Sequence, residues 1–139
     1  MEFLHARKFV FLATVLLCQQ VQAAATELPD DEITASCIDA DSTTAGMIRC
    51  SYEEYDRWDQ ALNAAYKALL AGIAAPDKQA FREAQRQWIV FRDAEFRAID
   101  AIFSRMEGTM YLPIRVSERV ELVKARAIQL NGYATLQDG

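Results

Sequence analysis

The feature that most constrains this chain is a three-and-four spacing of apolar residues, sustained through three consecutive stretches. Val116, Val120, Val123, Ala127 and Leu130 step by four, three, four and three, which puts all five on one face of an α-helix. Met47, Ser51, Tyr55, Trp58, Leu62, Ala65, Leu69 and Ile73 recur in the same way and predict a helix over about 44–73. Phe81, Ala84, Trp88, Phe91, Ile99 and Ile102 mark the apolar face of a helix over about 76–105. Punctuation agrees with these limits. Ser42, Thr43 or Thr44 can cap the first helix. Pro76 suits the first turn of the second, where its missing N–H would have no partner anyway. Gly108 to Pro113 reads as a loop, and Asn131-Gly132 as a stop for a third helix over about 114–132. No strand alternation, linker or internal repeat interrupts the pattern, and 139 residues suit one domain. The expectation is an all-α fold, a small antiparallel bundle of three main helices around one seam.

The first 25 residues carry an address. Arg7 and Lys8 precede the stretch Phe9 to Cys18, in which only Thr14 is not apolar. Small residues then fall where signal peptidase cuts, giving cleavage after Ala23 or Ala25. A membrane anchor would need about 20 apolar residues, and Gln19, Gln20 and Gln22 end the run sooner. Lipidation at Cys18 is disfavoured because Leu17 stands where a small residue is wanted. The expected address is therefore the periplasm or the exterior. Cleavage after Ala25 leaves 114 residues with two cysteines and no histidine, His5 having gone with the leader. In an oxidising compartment Cys37 and Cys50 should pair. Two free thiols or a redox couple are the alternatives, and the couple usually shows a C-x-x-C spacing that is absent here. Residues 26–36 are acidic, lack helical periodicity and read as a flexible lead-in.

Charge and composition exclude several functions. The net charge of −5 argues against general nucleic-acid binding, which needs a surplus of Lys and Arg. Without a histidine in the mature chain, His-based triads, His-ligated metals and histidine pH switches are unavailable, and no metal or cofactor is expected.

Several polar residues fall on or beside the apolar faces: Asp59 and Asn63 near Trp58 and Leu62, Gln85, Arg92 and Asp93 around Trp88, and Arg126 beside the third seam. A buried Arg needs acceptors, so these residues read as a polar network fixing helix register. The competing reading is a carboxylate pair for glycoside hydrolysis, with Asp59 and Asp93 about 5–10 Å apart in a sugar-sized cleft. A compact bundle offers little room for such a cleft, and no catalytic residue is assigned. Lys78, Arg82 and Arg86 form a basic stripe at i, i+4 and i+8, which is either a solvated face or a contact surface.

The residues also resemble a known family, the lysozyme-inhibitor LprI-like proteins, small exported helical proteins of bacteria. The resemblance rests on Cys37, Met47 and Cys50, then Asp59, Leu62, Asn63 and Tyr66, then Gln85, Trp88, Arg92, Asp93, Ala94 and Glu95. It continues through Gly108 and Thr109 to Ala125, Arg126 and Leu130. The chain then divides into a signal peptide (1–25), the lead-in (26–36), an LprI-like helical domain (37–133) and a tail (134–139). The family often carries a Cys just after its R-D-A-E block and another near the start of the last helix. Here Phe96 and the Val116 to Val120 region stand in those places, and Phe96 can restore cohesion by packing.

The resemblance implies an exported protein that binds a lysozyme-type peptidoglycan hydrolase and occludes its cleft. The acidic charge fits, because host-type lysozymes are basic. Candidate contacts are Met110, Tyr111 and Arg115 in the 106–115 loop, together with Lys78, Arg82 and Arg86. Arg115 is the group best suited to meet catalytic carboxylates. The alternative is an envelope interaction or immunity protein that binds another secreted or periplasmic partner.

Overall fold

The computed structural model describes residues 26–137. The expected signal peptide, with Arg7, Lys8 and Cys18, lies outside the described residues, as do the last two positions. Four helices follow one another: α1 (Glu32–Ala40), α2 (Thr44–Gly72), α3 (Ala75–Phe103) and α4 (Tyr111–Thr135), with no strand among the described residues. The all-α expectation holds. The count of three main helices is corrected by the short α1, which starts inside the stretch expected to be irregular.

The sequence hides α1 because its own periodicity does little to hold it. Its single buried residue is Thr34, and its support comes from residues distant in the chain. Cys37 is bonded to Cys50 with their Cα atoms 5.9 Å apart. Thr34 Oγ1 accepts from Arg57 Nη2 at 2.7 Å, and Lys124 Nζ reaches Asp31 Oδ2 at 2.5 Å. Ahead of α1, Leu28 packs against the core, and the Thr26 backbone nitrogen donates to Asn131 Oδ1 at 2.9 Å. Residues 26–40 thus run antiparallel to α2 along one flank of the α2–α4 pair.

The turn into α2 is tight. Thr43 caps the helix by accepting from the Gly46 N–H at 3.0 Å. Gly46 is required there, since a Cβ would overlap the backbone oxygen of Asp41. The stripe foreseen on α2 is the observed one: Ser51, Trp58, Leu62, Ala65, Leu69 and Ile73 are buried, with Met47 and Tyr55 half-buried. On α4 all five seam residues are no more than 2% exposed. These two stripes face each other and form the core. Short connections reverse the chain before and after α3, so α2 and α4 run in the same direction.

α4 overruns its expected stop. Gly132 stays helical, Tyr133 meets the Phe81 ring edge-on at 6.0 Å, and Ala134 is buried in the core cluster. That packing extends the helix to Thr135, so Asn131-Gly132 is not the terminus and the chain is not yet a tail at 134. At the other end Gly108 has φ +101°, a left-handed conformation that suits glycine. It reverses the chain between α3 and α4.

Candidate functional site

α3 lies on the flank of α4 opposite α1, and its inner face differs from the apolar one expected. Residues 81, 85, 88, 92, 96 and 99 turn inward, while Ala84, Phe91 and Ile102 are exposed. The inner face is therefore half polar, and it builds a column with α4. Gln85 is buried, 8% exposed, and its Oε1 accepts from Arg126 Nε and Nη2 at 3.1 and 3.0 Å. The Arg126 guanidinium lies 5.8 Å from the Trp88 ring centroid. Arg92 follows, 5.6 Å from Trp88 and 5.7 Å from Phe96. Arg119 also lies over the Phe96 ring, at 5.1 Å. Asp100 ends the column as acceptor for Arg119, with Arg115 Nε at 3.9 Å. Cations on ring faces gain electrostatic attraction while their stems cover apolar surface. Burial lowers the affinity of Arg126 for its proton, and Gln85 supplies an acceptor without adding a charge.

By hydrogen bonding the polar residues expected to form one network fall into three sets, two of which meet on the Trp88 ring. Arg126 binds Gln85 and Gln129. Arg92 pairs with its neighbour Asp93, Nη2 to Oδ1 at 2.7 Å. Asn63 Nδ2 donates to the carbonyl and side chain of Asp59 at 2.8 and 3.0 Å. Asn63 and Asp93 are exposed, Asp59, Trp88 and Arg92 are half-buried, and Gln85 alone of the named set is buried. Asp100 and Arg119 were missed. The signal was available, since Arg115 and Arg119 share a helix face at i, i+4 and call for a carboxylate.

Phe96 packs against the core, with the Tyr55 ring at 6.1 Å. Phe96 and Val116 line one pocket of about 330 Å3, together with Tyr52, Tyr55, Asp56 and Arg119. Phe96 and the start of the Val116 to Val120 region thus meet here as an aromatic and an aliphatic side chain. Burial raises the Tyr55 phenol above its ordinary value, with the Asp59 charge adding to the effect.

The expected contact residues lie at two separate places. Lys78, Arg82 and Arg86 sit near the start of α3, with Lys78 half-buried, Arg82 and Arg86 exposed, and Arg86 paired with Glu83. Met110 and Tyr111 open α4 at the opposite end of the bundle. Met110 is 61% exposed, whereas Arg115 is half-buried and leans on Asp100. The opening of α4 lies by Ile38 and Ser51, the residues that follow the two bridged cysteines. Met110, Pro113, Ile114 and Ser117 line a groove of about 350 Å3 together with Ile38 of α1 and Met47 and Ser51 of α2.

Two carboxylates have clearly displaced affinities, and both are held below the usual range. Asp41 is lowered by hydrogen bonds from Thr43, and Glu83 by bonds from Gln87 and Arg86. Both are exposed enough that these are local solvent-screened effects. A general acid would need the opposite displacement. Among the described residues no grouping of His, Cys, Asp and Glu could hold a metal ion, and no helix is long and apolar enough to cross a membrane.

No curated protein and no solved structure matches the chain. The lysozyme inhibitor LprI family matches residues 37–130, from the first cysteine of the bridge to the last buried leucine of α4. The match takes in both seams and the groove beside the disulfide, so the chain belongs to the lysozyme inhibitor LprI family.

Proposed function

We propose that the mature chain is an exported binding protein that inhibits a lysozyme-type peptidoglycan hydrolase by occluding its active-site cleft. The observation that carries this reading is the family match, which spans nearly the whole described fold. Three further features support it. The Cys37–Cys50 bridge is a bond that oxidising compartments sustain and cytosolic ones do not. This agrees with removal of residues 1–25 as a signal peptide. Cut after Ala25, the chain would begin with an α-ammonium at Thr26, whose nitrogen already lies on Asn131 Oδ1 and would be a stronger donor when charged. Charge adds to the case. The mature chain is acidic, and opposite charge speeds association with a basic enzyme and selects against acidic ones. Finally, the carboxylates with displaced affinities are stabilised as anions, which suits a binding surface better than acid catalysis.

The test is a cell-wall lysis assay. Equimolar mature protein should slow lysis by a basic c-type muramidase, and heat-denatured protein should not. Unchanged lysis at micromolar concentrations of both, for several muramidase classes, would remove the reading. Recovery of a different envelope protein by the immobilised chain, with no muramidase retained, would point to the immunity role instead.

A further inference from the structure

The groove beside the disulfide has a more apolar lining than the cavities between residues 26–33 and α2 or around Tyr55 and Phe96. Ile38 of α1, Met47 and Ser51 of α2 and Pro113, Ile114 and Ser117 of α4 line it. Ile38 directly follows Cys37, so the bridge to Cys50 fixes that side of the groove against α2. Met110 and Ile114 form the lip, and both are exposed. Methionine is flexible and polarisable, and it adapts to differently shaped apolar partners. An exposed apolar cavity of this kind marks a contact site.

The surrounding charge says what kind of contact. Thr26 to Asp59 carries ten carboxylates and two arginines. Both arginines are engaged within the fold, Arg49 by Asp41 and Glu53 and Arg57 by Thr34. From Gln60 to Gln137 the balance reverses, with eight carboxylates and eleven Lys or Arg. The negative surplus thus lies on α1 and the first half of α2, which supply one side of the groove, while its α4 side carries Arg115 beside Ile114, held toward Asp100. An anionic membrane would be repelled from that surplus, and an acidic protein likewise.

We infer that this groove is the docking point for a cationic protein, taking up one of its apolar side chains while flanking Lys and Arg residues meet the carboxylates of α1 and α2. The inference deepens the inhibitor reading and rests on it. It moves the contact from the basic stripe of α3 to the disulfide end, and it keeps Met110 while giving Arg115 no direct part.

Binding of the oxidised mature protein to a basic c-type lysozyme tests the idea, with Met110→Asp and Ile114→Asp placed at the lip. Val90→Asp serves as the comparison, because Val90 is as exposed as Met110 but lies on α3. Melting curves establish that each variant is folded. The lip variants should weaken binding by about tenfold or more, as central apolar anchors do, and Val90→Asp should not. Raised salt should weaken the unaltered protein further. Full affinity in a folded Ile114→Asp variant would overturn the groove assignment while leaving the inhibitor reading in place. No binding by the unaltered chain would overturn both. A salt-sensitive dimer of the chain alone, broken by Ile114→Asp, would assign the groove to a second copy and overturn the inference.

Discussion

α4 has two seams, and they are built in opposite ways. Toward α2 it presents Val116, Val120, Val123, Ala127 and Leu130 to Trp58, Leu62 and Leu69, all nearly free of water. Toward α3 it presents Arg119 and Arg126 to Trp88, Arg92 and Phe96, most of them half-buried. The first seam draws its strength from apolar area removed from water, about 25 cal/mol per Å2. The second depends on guanidinium groups held over rings and on a few acceptors, Gln85 and Asp100 above all. Area alone does not specify partners, whereas a ladder of cations and rings sets which residues of two helices stand opposite each other. We therefore propose that the apolar seam carries most of the stability and that the mixed seam sets the register of α3.

Substitutions can break that contrast. The largest effect should come from the first seam. Leu130→Ala removes a side chain that is 1% exposed and should cost about 2–5 kcal/mol, read as a drop in denaturation midpoint. Next comes the disulfide: the double change Cys37→Ser and Cys50→Ser frees a short loop and should cost about 3 kcal/mol. That loss should also release α1, seen as faster amide exchange over Glu32–Ala40. A smaller loss belongs to the second seam. Gln85→Ala leaves the half-buried Arg126 short of its acceptor and should cost about 1–3 kcal/mol. It should loosen α3 against α4 in exchange measurements and leave α2 protected. A loss from Gln85→Ala as large as that from Leu130→Ala would erase the distinction between the seams.

The smallest effect is the response to pH. No histidine lies among the described residues, so no side chain should give stability a slope through neutrality, and any slope there belongs to the α-ammonium that cleavage after Ala25 would create at Thr26. The Tyr55 phenol is raised by burial, and the Lys124 ammonium is raised by its bond to Asp31. In both cases the folded state holds its proton more tightly than the unfolded chain. That stability is complete below the unfolded values of 10.0 and 10.5 and is lost as pH rises through the folded ones. Melting temperature should therefore fall above about pH 10, and Tyr55→Phe should remove part of the fall.

How much of this was legible in the sequence follows from the same contrast. The α2–α4 seam was readable because apolar area follows a simple period. Val116 to Leu130 keep that period without exception, and α2 nearly so. The α3 face was misread because apolar residues stand on more than one side of that helix. Phe91 and Ile102 face water, while Gln85 and Arg92 turn inward for reasons that hydropathy does not encode. α1 was unreadable because Asp31, Thr34 and Cys37 find their partners on other helices, at Lys124, Arg57 and Cys50. The halt expected at Gly132 failed because Tyr133 and Ala134 find packing just beyond it. For the candidate site, the acidic character of the leading segment was visible. The groove was not, since it joins Ile38 to Ile114 across most of the chain.

The central claim is that this molecule acts by holding a basic enzyme. Calorimetric titration of the oxidised mature protein into a basic c-type muramidase, at low and at raised salt, addresses it most directly. A saturable one-to-one interaction that weakens as salt rises is the predicted result. Absence of heat and of complex at both ionic strengths, across the muramidase classes, would contradict it.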